Sequence, residues 1–78
     1  MGESVGFGEF VAARSPSLLR TAWLLTGDAH LAEDLVQAAL ARTWSGWRRL
    51  HPDGDPETYV RQVMVNTSLS WRARRWKR

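Results

Sequence analysis

Between Ala32 and Trp47, the side chains Ala32, Leu35, Val36, Ala39, Leu40, Thr43, Trp44 and Trp47 recur at spacings of one, three and four. On an α-helix these positions fall on one wide face, whereas on a strand they would scatter over both sides. Such a helix must bury its stripe against other helices, because a short isolated helix is marginal in water. The rest of the chain supplies the partners. LLRTAWLLT sets Leu18, Leu19, Ala22, Trp23 and Leu25 at helical spacing, and Tyr59, Val60, Val63, Met64, Thr67 and Trp71 repeat the pattern further on. No strand-like alternation and no internal repeat interrupts these runs. The expected fold class is all-α, a compact three- to four-helix bundle. Its expected core is Phe10, Leu19, Ala22, Trp23, Leu35, Val36, Ala39, Leu40, Trp44, Val60, Val63, Met64 and Thr67.

Punctuation sets the expected boundaries. Gly2, Gly6 and Gly8 loosen the start, so residues 1–8 read as a flexible N-terminus and the ordered domain as 9–78, with a helix beginning near Gly8 or Glu9. Ser15-Pro16 reads as a break, with Ser15 as N-cap and Pro16 at the first helical position, where its missing N–H is harmless. Gly27 ends that helix and Asp28 caps the next, which runs from Ala29 to about Arg48 with Gly46 weakening its end. Two prolines, a glycine and two aspartates make LHPDGDPE the one long loop, at about 50–56. Asp55 then caps the last helix, Pro56 opens it, and Glu57 suits the positive end of its dipole.

Several function classes fall away. Seventy-eight residues hold one small domain, too few for a dinucleotide-binding sheet or a barrel enzyme. The absence of cysteine removes disulfides and cysteine-based zinc sites, and mildly favours the cytoplasm. His30 and His51 lack ligand-spaced neighbours, so no metal site is expected. Ser15, Ser17 and Ser45 have no base beside them, and no glycine-rich phosphate loop follows a strand. No catalytic residue and no cofactor is therefore expected. No apolar run is long enough to span a membrane, and the acid-bearing first residues do not resemble a secretory signal.

The net charge of +3 hides a division along the chain. Residues 1–57 hold five arginines and all eight acids, whereas residues 58–78 hold six cations and no acid. Such a split suggests two surfaces with different partners, the basic one suited to a polyanion. On the second helix Glu33, Asp34 and Gln37 lie away from the apolar face and offer groups to arginines on a partner helix; an ordinary solvated face is the plainer reading. On the last helix Arg61, Asn66, Ser70, Arg72, Arg74 and Arg75 mix phosphate-neutralising cations with short groups able to reach base edges. Trp71 lies on the apolar period and reads as core, while Trp76 sits among cations and could meet a neighbouring segment or DNA.

The runs AEDLVQAALARTW (Ala32–Trp44) and YVRQVMVNTSLSWRARR (Tyr59–Arg75), with ARSPSLLRTAWLLTGDAHLAEDLVQ upstream, resemble region 2 of bacterial sigma factors of the extracytoplasmic-function (ECF) type. The resemblance covers residues 7–78, and the Arg-, Ala- and Trp-rich style looks actinobacterial. It implies a module that docks on core RNA polymerase, at the β′ clamp helices, through Glu33, Asp34, Gln37 and Ala41. It further implies recognition of the promoter −10 element as single-stranded DNA. By the same match the loop supplies His51, Asp53 and Gly54 around a flipped base. Asn66 stands beside that pocket with Ser70 one turn on, and Arg61, Arg72, Arg74 and Arg75 hold the strand backbone. Unstacking a base costs roughly a few kcal/mol, which pocket and phosphate contacts offset. The implied protein is cytoplasmic, monomeric in isolation, not membrane-bound, and a target for an anti-sigma factor.

Two departures bear on these roles. Ala38 stands where many relatives carry an acid, which weakens that side of the clamp contact. Asp53 and Asp55 make the loop acidic, which favours reading a base by its edge over gripping a phosphate. The helix-turn-helix domain, region 4, that normally follows is expected to be absent from this chain. The alternative reading is a helical protein-interaction domain governed by an anti-sigma factor, with no DNA binding of its own.

Overall fold

The computed structural model describes residues 2–47 and 55–76, with side chains for 6–47 and 55–74. Among the described residues three helices follow one another: α1 (Gly2–Thr26), α2 (Ala29–Ser45) and α3 (Pro56–Trp76). No strand occurs among the described residues. Two residues join α1 to α2, which makes them antiparallel neighbours. Gly27 adopts a φ of 69°, a conformation that glycine takes without steric penalty, and its amide donates to the Trp23 carbonyl at 2.7 Å. Asp28 then caps α2, its Oδ1 accepting from the Leu31 amide at 2.9 Å. At the far end the Gly46 amide reaches back to the Thr43 carbonyl at 3.2 Å. This tighter turn closes α2 at Ser45, short of the expected Arg48. Asp55 caps α3 as its position suggested. Its Oδ1 accepts from the Glu57 amide at 3.2 Å and its Oδ2 from the Thr58 hydroxyl at 3.0 Å.

α1 departs from expectation twice. It begins at Gly2 and not near Gly8, and it runs unbroken through Pro16. Upstream, Phe7 packs on Trp44 and Trp47 with ring centroids 5.0 and 5.2 Å apart, and Phe10 meets Trp47 at 5.6 Å. Downstream, Leu18 and Ala22 are fully buried. Both halves of α1 are thus held against the same bundle, and this packing outweighs the roughly 3 kcal/mol that an interior proline costs a helix. The defect also lies outward, since Ala12 and Pro16 are both exposed, so water can satisfy the carbonyl that Pro16 leaves without a donor. Ser15 does not act as a cap; its hydroxyl donates back to the Val11 carbonyl at 2.6 Å.

Leu18, Ala22, Ala32, Leu35, Val36, Ala39, Val60, Val63 and Met64 form the core, with Phe10, Leu25, Leu40, Tyr59 and Trp71 packed around it. The expected core therefore needs four corrections: Thr67 is only half-buried and stands outside it. Leu19 is 38% exposed, and Trp23 and Trp44 are each 49% exposed. On α1 the buried line runs through Leu18 and Ala22, so Leu19 and Trp23, one position further round, fall on its outer edge. Two buried hydroxyls satisfy themselves locally, Thr43 on the Ala39 carbonyl at 2.8 Å and Ser68 on the Val65 carbonyl at 2.9 Å.

Candidate nucleic-acid interface

α3 carries the cationic end of the chain, and its two halves differ. Near its start, Glu57 gathers groups from two helices. Its Oε2 accepts from Arg61 Nη2 at 2.7 Å and from the Ser17 hydroxyl at 3.3 Å, and its Oε1 lies 3.4 Å from Arg14 Nη1. Arg61 also donates to the Ser17 hydroxyl at 2.9 Å. These contacts tie the start of α3 to the middle of α1 and neutralise Arg61 within the fold. Further along, Arg72 and Arg74 are exposed and have no hydrogen-bond or ion-pair partner among the described residues.

A polar cleft of about 360 Å³ opens between α2 and α3, lined by Ala38, Arg42, Asn66, Thr67, Ser70, Trp71 and Arg74. Asn66, Ser70 and Arg74 recur every fourth residue, so they line one edge of α3. Gln62 steadies the first of them, its Nε2 lying 3.4 Å from Asn66 Oδ1. Among the described residues no carboxylate lines this cleft. A second, more apolar cleft of about 580 Å³ lies where α1 ends and α2 begins, lined by Leu25, Thr26, Leu31, Ser68, Trp71, Arg72 and Arg74. Trp71, half-buried on the core, forms a wall of both.

Of the residues expected to meet DNA, Asn66, Ser70 and Arg74 are thus brought together, Arg72 is placed over the neighbouring cleft, and Arg61 stands apart in the Glu57 network. His51, Asp53 and Gly54 lie outside the described residues, as do the side chains of Arg75 and Trp76. On α2, Glu33, Asp34, Gln37 and Ala41 are all exposed, and the three polar ones make no hydrogen bond or ion pair among the described residues.

Residues 10–78 match the family described as Sigma-70 region 2. The chain belongs to that family. Curated relatives of this region 2 chain agree. It is 43% identical over 76 residues to the RNA polymerase sigma-E factor of Streptomyces coelicolor, covering 96% of this chain and 43% of the relative. The RNA polymerase sigma-E factor of Streptomyces avermitilis is 41% identical over 95% of this chain and 42% of its own length. The ECF RNA polymerase sigma factor SigG of Mycobacterium tuberculosis is 33% identical over 81% of this chain and 18% of its own. The resemblance to an actinobacterial ECF region 2 is borne out, and the chain spans less than half the length of these relatives. No solved structure matches it. Among the described residues no helix is long and apolar enough to cross a membrane.

Arg42 and Glu57 belong to this region 2 surface without a motif that marks them as such in the sequence. Glu57 and Arg61 stand four apart, a spacing that signals a helical ion pair. Arg42 carries no such local signal, because its relation to Asn66 and Arg74 exists only once α2 and α3 pack.

Proposed function

We propose that this region 2 domain is the promoter-reading part of a cytoplasmic ECF-type RNA polymerase sigma factor. In this reading α3 and the loop before it take the −10 element as melted single-stranded DNA, while the outer face of α2 docks on core RNA polymerase to direct transcription initiation. The observation that carries the reading is the cleft in which Asn66, Ser70 and Arg74 converge with no carboxylate among the described residues of its lining. The cation holds the strand backbone, the amide and hydroxyl meet base edges, and His51, Asp53 and Gly54 surround the flipped base. Arg72 and Arg75 extend the backbone contact, and Arg61, held by Glu57, adds least to it. Glu33, Asp34, Gln37 and Ala41 face the polymerase clamp, which is consistent with their exposure and lack of internal partners. The domain hydrolyses nothing: sequence is read by binding energy, and the polymerase keeps the strands apart.

The test is equilibrium binding of a single strand carrying the −10 element. Asn66→Ala is expected to lose about 1–3 kcal/mol of discrimination between the element and a scrambled strand; unchanged affinity and unchanged preference together would remove Asn66 from the site. Asp34→Ala is expected to weaken the complex with core polymerase by a similar amount, since it removes a charged hydrogen-bonding group. A polymerase complex of undiminished affinity would sink that assignment.

One observation favours a second reading. Leu24 is 79% exposed and Leu69 54%, and Trp23 is half out of the core, apolar surface of the kind a protein partner covers. An anti-sigma factor seated there would make this a protein-regulated domain with no DNA binding of its own. Salt separates the two, because DNA binding weakens steeply with ionic strength and an apolar interface does not.

A further inference from the structure

We infer that Arg42, on α2, holds a backbone phosphate of the bound strand, so that the DNA site is built from two helices and not from α3 alone. The inference rests on the single-strand reading above and adds a residue and a ligand group to it. Arg42 stands in the last turn of α2, where a cation is ordinarily explained by the negative end of the helix dipole. The cleft supplies a further reason for it. Arg42 and Arg74 line the same polar cleft from opposite helices, together with Asn66 and Ser70 and with no acid among the described residues of the lining. Neither guanidinium has a partner among the described residues, and the acids of α2, Glu33 and Asp34, lie two turns back without reaching Arg42. Two like charges facing one cleft repel each other until an anion enters, and the neighbouring amide and hydroxyl provide the hydrogen bonds that an anion accepts.

The polarity of α2 sharpens the argument. The carbonyl end of a helix disfavours an anion, so without Arg42 the α2 wall would repel the strand that Arg74 attracts. Arg42 reverses the sign of that wall. It also lies well round the helix from Gln37, at about 100° per residue, so one helix presents an acidic line to one partner and a basic flank to another. The cleft volume of about 360 Å³ is at the lower end of ligand clefts, about 300–1,000 Å³, and so has room for a phosphate with part of its sugar.

A phosphate contact is independent of sequence, so the probe is a labelled oligo(dT) of about twelve nucleotides, within the usual span of a single-strand site. It is titrated with the full 78-residue chain across a range of salt. Losing one phosphate contact is expected to lower the slope of log K against log salt by about 0.7. Arg42→Gln should show that loss, and Arg42→Lys should restore most of the slope. A strand with a single neutral methylphosphonate linkage, walked along its length, should show one position where native protein loses affinity and Arg42→Gln loses nothing further. If Arg42→Gln binds with native slope and affinity while Arg74→Gln does not, Arg42 serves only the helix dipole and the inference is wrong. If Arg42→Gln weakens only the polymerase complex, Arg42 belongs to the other surface, which also overturns it. Failure of the native chain to bind any single strand would bring down the broader reading together with this one. Thermal melting of both variants separates a folding defect from a binding defect, and Arg42→Lys, which keeps the charge, carries the methylphosphonate comparison if Arg42→Gln fails to fold: it should lose affinity at the same position as native protein, and a loss at no shared position would overturn the inference.

Discussion

The two ends of α3 carry the same residue type and use it differently. Arg61, one turn into the helix, is bonded to Glu57 and Ser17, whereas Arg72 and Arg74 project without a counter-charge among the described residues. Six cations follow residue 57 in the sequence, yet the first of them is neutralised by a carboxylate that the division of charge assigns to the other part of the chain. Net charge along a helix thus overstates the charge available to a polyanion. What an arginine offers a ligand depends on what else its guanidinium already holds.

Three variants test that contrast. Replacing both free arginines, Arg72→Gln with Arg74→Gln, should have the largest effect. The salt slope of single-strand binding should fall by about 1.4, two contacts at about 0.7 each, while the melting temperature stays unchanged. Glu57→Ala comes next and acts on both quantities. Removing the shared acceptor should destabilise the domain by about 0.5–1 kcal/mol, the range of partly exposed ion pairs, measurable by urea unfolding. It should also release Arg14 and Arg61, raising the salt slope above that of the native chain. An unaltered slope would mean that the network does not restrain these cations. Arg61→Gln should have the smallest effect on DNA, less than that of either free arginine alone, with a stability loss of about 0.5 kcal/mol. If it instead matched Arg74→Gln in binding, the two ends of α3 would be equivalent and the contrast would collapse.

Chemistry confined to neighbouring residues was legible from the chain alone. Asp28 and Asp55 cap as their positions predict, Gly27 takes the left-handed turn, and the buried line of α2 follows its period. Where tertiary packing decides, the sequence misleads. Ser15-Pro16 has the local form of a helix start, but aromatic contacts upstream and buried Leu18 and Ala22 downstream hold α1 together across it. Leu18 and Leu19 are adjacent, and period alone does not choose between them; docking on α2 does. Trp23 and Trp44 read as core by residue type, yet each lies at the margin of its helix face, where a large ring covers the core with one side and meets water with the other. In the site, Asn66, Ser70 and Arg74 share an edge by spacing alone. The contribution of Arg42 depends on which helix packs beside which, and the tie from Arg14 to Glu57 crosses more than forty residues of chain.

Trp71 stands as a party wall between the polar and the apolar cleft, and Arg74 borders both. A molecule that shifts this ring while occupying one cleft changes the shape of the other. Thermodynamic linkage then makes the effect mutual: whatever factor the first occupant imposes on the second, the second imposes on the first. Two ligands that each displaced this ring would therefore be coupled, and the strand binding proposed above would be open to adjustment from a surface the strand need not touch.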